Sequence, residues 1–341
     1  AVAHREALLD EARREIEQAL EVGGPGRFTE QRLGNFALGV LCGRGAMGDV
    51  YEARHVITGE RAAVKLLHRE TLRNPGHVRR FLREAQLAGS VQVPNVVRVI
   101  EVGDEDAPVP FLAMELLRGC DLAAILRKRR RLPAAELIDV LRQVARGIDA
   151  AHRAGVVHRD LKPQNIYCCE GGVGPVWKIL DFGVSRLIDT ESSLTHGQAV
   201  GTPAYMAPEQ ARGRNADHRA DLFALGVIAY RALTGRPAFT GSEVPQILYD
   251  VVHGMPPRPS ELAALPREVD AVLAIALAKR PEERFQSGAE LASAVEAALR
   301  GSLPAALAQR AQLLLEKRPW GRRPAVDETP SVPHRRVDQV V

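Results

Sequence analysis

The 341-residue chain is too long for one typical domain core, so it fits two packed lobes or one large domain with extensions. With 45% hydrophobic and 26% charged residues it has enough apolar material to bury a core, which excludes global disorder. The net charge of +4 is a mild basic excess that does not by itself predict nucleic-acid binding.

The longest apolar runs, 222–230 and 271–278, are far shorter than the roughly 18 residues that span a bilayer. The first 20 residues carry charges throughout and lack the apolar centre of a secretory signal. We therefore expect a cytoplasmic domain, with any membrane anchor or sensor lying outside this segment. The cysteines have no CxxC spacing and are expected to be free thiols of a reducing compartment. They are Cys42, Cys120, Cys168 and Cys169.

Residues 1–34 predict an N-terminal helical extension followed by a Gly/Pro linker, because apolar residues recur at helical spacing up to "GGPG" at 23–26. From 35 to 117 short apolar stretches alternate with turns, which predicts an antiparallel sheet with a hairpin turn at Thr58–Glu60. One helical segment interrupts this region, "NPGHVRRFLREAQLAGSV". Its apolar side is formed by Val78, Phe81, Leu82, Ala85 and either Leu87 or Ala88.

Residues 118–300 have mostly helical periodicity, so a β-rich small half is followed by a helical large half. The segment 301–341 predicts a short helix in "PAALAQRAQLLLEKR" and then a flexible basic tail that contains proline.

The stretch "CGRGAMGDV" contains Gly43, Gly45 and Gly48, followed by Val50. Glycines at this spacing let backbone amides approach phosphate oxygens. A dinucleotide-binding crevice would need a helix starting within this stretch and an acidic residue about twenty positions later. The residues after the loop instead predict a strand, and the next strand carries Lys65, so the sequence favours a nucleotide lid.

Lys65 lies among apolar neighbours in "AAVKLL", and a lysine is costly to bury unless it is paired. The first helix supplies a candidate partner in Glu84. We therefore predict that Lys65 bridges Glu84 and the α- and β-phosphates of a nucleotide, the alternative being two unrelated surface residues.

The stretch "VVHRDLKPQNIYC" places Asp160, Lys162 and Asn165 close together, and "KILDFG" ends a strand-like run in Asp181. Phosphoryl transfer needs metal ions held by oxygen ligands, cations on the phosphates and a carboxylate that orients the attacking hydroxyl. These residues, with Lys65, supply those groups.

These motifs, taken together, resemble the bacterial eukaryotic-like (Hanks-type) Ser/Thr protein kinases over roughly residues 35–300. The resemblance implies an α+β, bilobal fold with an N-lobe at 35–117 and a C-lobe at 118–300. The matching motifs occur in family order: the Gly-rich loop, "AVK", the helix glutamate, "HRDLKPQN", "DFG", "GTPAYMAPEQ", "DLFALGV" and "RPEERF".

The resemblance implies a role for each polar residue of the site. Asp160 would be the catalytic base, Lys162 would contact the γ-phosphate, and Lys65 with Glu84 would position the other phosphates. Asn165 and Asp181 would hold Mg²⁺, with Mn²⁺ as an alternative, and ATP would be the phosphate donor.

The adenine pocket, by the same resemblance, has Met114 as gatekeeper and the backbone of Glu115 and Leu117 at the adenine edge. Val50 and Ala63 would form its roof. Tyr167 would form the floor of the pocket, where the family more often has Leu or Met. The larger ring of Tyr167 would make the pocket tighter or stack on the adenine base.

The resemblance implies Ser/Thr specificity, because Thr202 would link Asp160 and Lys162. The segment from Asp181 to Glu209 has no strong periodicity, which is typical of a functional or disordered loop. We predict that phosphorylation at Thr195 or Ser193 orders this loop through Arg159, the alternative being solvent-facing linker residues. Thr202 is a further regulatory candidate.

Several residues have structural roles by the same resemblance. Glu209 and Arg284 would form a buried ion pair, and Asp221 would anchor the backbone of the catalytic loop. His158 is expected to be a packed loop histidine near Phe182 rather than an acid or base.

The basic run "RKRRR", 127–131, has no interleaved aromatic residues and predicts a solvated turn, with docking of acidic substrates as the alternative. The predicted partners are protein substrates with Ser or Thr and the chain itself by autophosphorylation, with a transient dimer allowed and no nucleic acid expected.

Three functions are compatible with this fold. The first is an active Mg-ATP-dependent Ser/Thr kinase, which the filled catalytic positions favour. The second is a pseudokinase that senses nucleotide or acts as a scaffold, and Tyr167 and the N-terminal helix keep it open. The third is a small-molecule kinase, against which the "GTPAYMAPE" platform for a peptide substrate argues.

Overall fold

The computed structural model describes residues 25–45, 48–68, 75–103, 109–170, 174–182 and 203–321. The predicted N-terminal helix and the tail after Gly321 lie outside these residues. Within the described ranges, no helix is long and apolar enough to cross a membrane.

The N-terminal half is an antiparallel six-stranded sheet in the order β1-β2-β3-β4-β6-β5. Gly59 (φ 73°) turns the chain between β3 and β4, where the hairpin was predicted. Alternating side chains from these strands form a small core that includes Phe36, Tyr51 and Phe111. The strands are β1 (Arg32–Leu33), β2 (Phe36–Arg44), β3 (Gly48–His55), β4 (Arg61–Leu67), β5 (Val99–Val102) and β6 (Phe111–Glu115).

Helix α1 (Pro75–Gly89) packs one apolar face on this sheet, where Phe81 and Leu82 meet Leu112 of β6. Ala88 is buried and Leu87 is 43% exposed, so Ala88 rather than Leu87 belongs to the apolar face of this helix.

The C-terminal half is helical and adds one small antiparallel sheet in the order β7-β8-β9, which confirms the predicted division into a β-rich and a helical half. The small sheet comprises β7 (Gly119–Asp121), β8 (Ile166–Cys169) and β9 (Val176–Ile179). The helices are α2 (Leu122–Arg129), α3 (Ala134–Arg153), α4 (Pro208–Ala211), α5 (Arg219–Thr234), α6 (Val244–His253), α7 (Pro259–Leu262), α8 (Arg267–Ala276), α9 (Gly288–Leu299) and α10 (Ala305–Lys317). Short 3₁₀ turns occupy Pro163–Asn165, Pro203–Tyr205 and Pro281–Glu283.

Helix α5 runs through the centre of the large core, and nearly all of its residues are buried. Gly226 lets α8 approach closely, because a Cβ at this position would lie 2.8 Å from the Cβ of Ala276. A helix that is apolar on all sides has no solvent face, so a polar side chain on it must find partners inside the protein. Asp221 is such a residue.

Arg284 joins three parts of the large lobe. Its guanidinium is fully buried and forms a bidentate pair with Glu209, with Nη1–Oε1 and Nη2–Oε2 distances of 2.8 and 2.7 Å. It also donates to the carbonyls of Ala278 and Arg219 and lies 4.9 Å from the ring of Phe223. These bonds fix α4 against the start of α5.

Removing one partner of this pair should be strongly destabilising. We expect Arg284→Met to lower the free energy of unfolding by about 3–5 kcal/mol, because it leaves the Glu209 carboxylate buried without its partner. The double variant Arg284→Met/Glu209→Leu should recover much of this loss. Urea denaturation of the purified variants measures both.

Arg129 and Glu136 provide a matched control, since they form the same bidentate contact at 2.8 and 2.7 Å in a more exposed position. Arg129→Met should cost no more than about 1 kcal/mol. Equal losses for Arg129→Met and Arg284→Met would contradict this account.

Candidate active site

The catalytic-loop residues are held together by short hydrogen bonds. Lys162 Nζ lies 2.7 Å from Asp160 Oδ2, and Asn165 Nδ2 donates to the backbone carbonyl of Asp160 at 2.8 Å. Asn165 is nearly buried, whereas Asp160 and Lys162 are partly exposed. Because the amide nitrogen of Asn165 is bound to the loop, its side-chain oxygen is left as a ligand for a cation.

Asp221 anchors this loop from α5. Its Oδ2 accepts the amide of His158 at 2.8 Å, its Oδ1 accepts the amide of Arg159 at 2.7 Å, and His152 Nε2 of α3 lies 2.8 Å from Oδ2. Burial alone would raise the pKa of Asp221, but the hydrogen bond from His152 and the proximity of both imidazoles hold it below its usual value. The carboxylate therefore stays ionised and keeps both amides.

His158 is completely buried and is part of the packing of this loop. Its Nε2 lies 2.8 Å from the carbonyl oxygen of Leu180, and its ring centroid lies 4.9 Å from that of Phe182. These contacts join the catalytic loop to the segment that carries Asp181.

Lys65 and Asp181 form an ion pair between the two lobes. The Nζ–Oδ1 distance is 2.7 Å, and Lys65 is 6% exposed in β4. Desolvation would raise the pKa of Asp181, but the Lys65 ammonium, together with His158 and Lys162, holds this pKa below its usual value. Asp181 has φ 54°, a conformation that favours glycine and that turns the chain at the end of β9.

The contact of Lys65 with Asp181 joins the strand β4 to the end of β9. The contact of Lys65 with Glu84 that the sequence predicts stays a prediction. Glu84 lies on α1 and is half-buried. The turn after β9 brings the Asp181 carboxylate directly to the Lys65 ammonium.

A small apolar cluster lies beside this ion pair. Ala63, Val97 and Met114 are buried in it, and four partly buried residues line it, namely Val50, Leu116, Leu117 and Leu180. The amide of Leu117 makes no hydrogen bond with a described residue, so it is available to an adenine ring. The side chain of Glu115 is occupied, because its Oε1 accepts Lys178 Nζ at 2.6 Å and the amide of Arg98 at 2.7 Å.

Three residues of this cluster were not predicted from the sequence, namely Val97, Leu116 and Leu180. Leu180 directly precedes Asp181 and Leu116 directly precedes Leu117, so adjacency to a selected residue was the available signal. Val97 has no local signal, because only the fold brings it to Met114.

The glycine-rich stretch is the turn of the β2–β3 hairpin. The amide of Gly45 donates to the carbonyl of Gly48 at 2.9 Å, and Gly43 is paired with Val50. A Cβ on Gly48 would lie 1.9 Å from the carbonyl oxygen of Leu66, so the close approach of β4 requires glycine here. A strand rather than a helix follows the loop, which argues against a dinucleotide crevice.

Tyr167 lies on β8, and its hydroxyl donates to the carbonyl of Gly119 at 2.8 Å. Burial raises its pKa, with smaller contributions that include the thiols of Cys169 on its own strand and Cys42 on β2. Tyr167 is half-buried on this strand. Its role as the floor of the adenine pocket stays a prediction.

Arg159 has φ 63°, and its Nε is buried without a hydrogen-bond partner among the described residues. The loop residues predicted to receive phosphate, Ser193, Thr195 and Thr202, lie outside the described residues. Residues 127–131 are exposed, as predicted, but Arg127, Lys128 and Arg129 form the last turn of α2, and only Arg130 and Arg131 follow the helix.

The protein kinase domain family matches residues 36–295. The chain belongs to the protein kinase family. It is 43% identical over 271 residues to the serine/threonine-protein kinase Pkn1 of Myxococcus xanthus, covering 79% of this chain and 39% of that protein. It is 37% identical over 268 residues to PknH of Mycobacterium tuberculosis, covering 78% of this chain and 42% of that protein. The chain thus spans less than half the length of these relatives.

Comparison with solved structures also identifies a protein kinase fold. The kinase domain of PknI from Mycobacterium tuberculosis matches with a TM-score of 0.64 and 27% identity, covering 80% of this chain and 98% of that one. The bilobal kinase fold and the resemblance to bacterial Ser/Thr kinases are confirmed. Members of this family use ATP and a divalent metal.

Replacing Tyr167 separates the contribution of its ring from that of its hydroxyl. We expect Tyr167→Leu to raise the KM for ATP about fivefold, since the adenine would lose an aromatic contact worth about 1 kcal/mol. Tyr167→Phe keeps the ring and should leave this KM nearly unchanged. Steady-state kinetics with a peptide substrate measure both. Equal effects of the two variants would show that the ring is not the floor.

Proposed function

We propose that this chain transfers the γ-phosphate of ATP to Ser and Thr hydroxyls of proteins, including its own loop between Asp181 and Glu209. The observation that carries this proposal is the contact of Asp160 with Lys162 and Asn165 on a loop fixed by Asp221, beside the Lys65–Asp181 pair. A carboxylate, two cations and two oxygen ligands are the groups that phosphoryl transfer requires.

Asp160 accepts or orients the proton of the attacking hydroxyl. General base assistance of this kind is worth about 10² to 10⁴ in rate. Lys162, 2.7 Å from the carboxylate, is close enough to contact the γ-phosphate and to offset the charge that develops on it. Lys65 holds the α- and β-phosphates, and the remaining rate comes from the orientation of the reacting groups.

The donor set fits Mg²⁺, which is the finer part of the cofactor proposal. Magnesium in nucleotide sites is held by one or two protein oxygens together with phosphates and waters, and it does not need an all-protein cage. Asn165 and Asp181 are the residues that would hold it. When bound, the ion neutralises charge on the β- and γ-phosphates.

The Ser/Thr preference is supported by Lys162 and Thr202 in the sequence and by the names of the bacterial relatives. Phosphate on Thr195 or Ser193 would meet Arg159, whose Nε has no partner among the described residues. Cytoplasmic placement belongs to the same proposal, because ATP is the donor. A transient dimer and the absence of nucleic-acid partners stay predictions.

Intact-mass analysis after incubation with Mg-ATP tests the proposal. We expect phosphate on the wild type, with Thr195 or Ser193 among the mapped sites, and phosphorylation at least about 100-fold slower in Asp160→Asn, since the base is lost. Asp217→Asn is the matched control, because Asp217 is exposed and its ion pairs within the described ranges are with its neighbours Arg219 and His218. It should phosphorylate itself like the wild type.

Two outcomes would contradict the proposal. One is equal phosphorylation of the wild type and Asp160→Asn. The other is no phosphorylation of the wild type, or of an added protein substrate, when ATP binding is still detected, which would favour the pseudokinase.

A further inference from the structure

A cavity of about 440 Å³ lies between α8 and α10, on the large lobe. Helix α10 follows the stretch that matches the protein kinase family, which ends at residue 295, so one wall of the cavity is an addition to that domain. The floor is apolar, and it is formed by Met255, Ala274, Ala278, Leu314 and Leu315.

The charged groups of the cavity are mostly cations. Lys279, Arg280, Lys317 and Arg318 line it, with Glu283 as the acidic member. Arg280 is paired with Glu282 at 3.3 Å. Neither Lys317 nor Arg318 forms an ion pair with any residue in the described ranges, so positive charge is in excess here.

Lys279 is the buried cation of this cavity, with 5% exposure. Its Nζ donates to the carbonyl of Val251 at 2.7 Å and lies 4.5 Å from the ring centroid of Phe239. Within the part of the chain that the structure describes, no carboxylate lies at ion-pair distance from it. An ammonium that is buried without a carboxylate is an unusual arrangement, because its charge is not neutralised.

The surroundings of Lys279 also disfavour its protonated, charged form. Burial, followed by the cations Arg318, Arg284 and Arg212, lowers its pKa to about 7, and Asp250 of α6 acts weakly in the other direction. A bound anion would reverse this balance, because it favours the protonated amine.

We propose that this cavity binds a small amphiphilic anion, an apolar chain that ends in a carboxylate. The chain lies on Leu314 and Leu315, and the carboxylate is held by Lys279 and Arg318. The volume is within the range of roughly 300–1,000 Å³ that small-molecule sites have, and an apolar floor with a few placed polar groups is their usual composition. The site is separate from the ATP cleft and does not depend on the proposed phosphotransfer.

Calorimetric titration of the whole chain with decanoate tests this proposal, with the ATP cleft saturated by a non-hydrolysable analogue. We expect saturable binding of one decanoate, with decanamide, the neutral molecule of the same chain length, about tenfold weaker. Arg318→Gln should weaken decanoate binding about threefold, as expected for one exposed cation. Arg153→Gln, at an exposed arginine on the last turn of α3, is the matched control and should change nothing.

Proton uptake gives a second readout. In two buffers of different ionisation enthalpy at about pH 8, decanoate should draw a fraction of a proton onto the wild type, because Lys279 is mostly neutral there before binding. Lys279→Met should show no such uptake.

Three results would overturn the site: equal affinity for decanoate and decanamide, equal losses in Arg318→Gln and Arg153→Gln, or proton uptake that persists in Lys279→Met. Phosphotransfer by Arg318→Gln should equal that of the wild type. If decanoate does not bind as expected, the result of the phosphotransfer assay is not affected. The anion site and the kinase activity can therefore be disproved independently.

Discussion

The arrangement of the active site depends on one buried carboxylate. Asp221 lies on a helix that is apolar on nearly every side, and it accepts the amides of His158 and Arg159 at 2.8 and 2.7 Å. These amides belong to the two residues before Asp160, so Asp221 in the core fixes the position of the proposed base. Because leaving a buried amide or carboxylate unpaired costs free energy, the loop has one favourable position. Asp160, Lys162 and Asn165 all lie within the next six residues.

Buried cations in this protein fall into two groups. Lys65 and Arg284 each form an ion pair with a carboxylate, one between the lobes and one within the large lobe. Lys279 is as deeply buried but meets a carbonyl and aromatic rings. The first group is explained by folding and phosphotransfer. Lys279 is not explained in this way, and it lines a cavity that has α10 as a wall.

Much of the fold was predictable because the motifs are local. The hairpin at Gly59, the amphipathic face of α1 and the terminal helix α10 each follow from residues close together in sequence. The contents of the catalytic loop were predictable for the same reason, since "HRDLKPQN" carries its functional side chains within eight positions.

The rest depended on contacts between distant residues. The ion pair of Lys65 with Asp181, 116 residues away in the chain, follows only from the fold, because the chain turn at Asp181 brings this carboxylate to the ammonium. Val97 joins the apolar cluster only through the folded sheet. The anion cavity also had no signal, because Lys279 and Arg318 are ordinary surface-like residues in sequence and become neighbours only when α10 packs on α8.

The most direct test of this account is to replace Asp221 with Asn and to measure kcat and the Kd for Mg-ATP on one folded preparation. An Asn side chain offers one acceptor in place of two carboxylate oxygens, so the loop should lose one amide contact. Since a shift of about 1 Å in a catalytic group can cost roughly 100-fold, we predict a kcat loss of about that size with little change in Kd. An unchanged kcat would contradict the claim that Asp221 positions the catalytic loop.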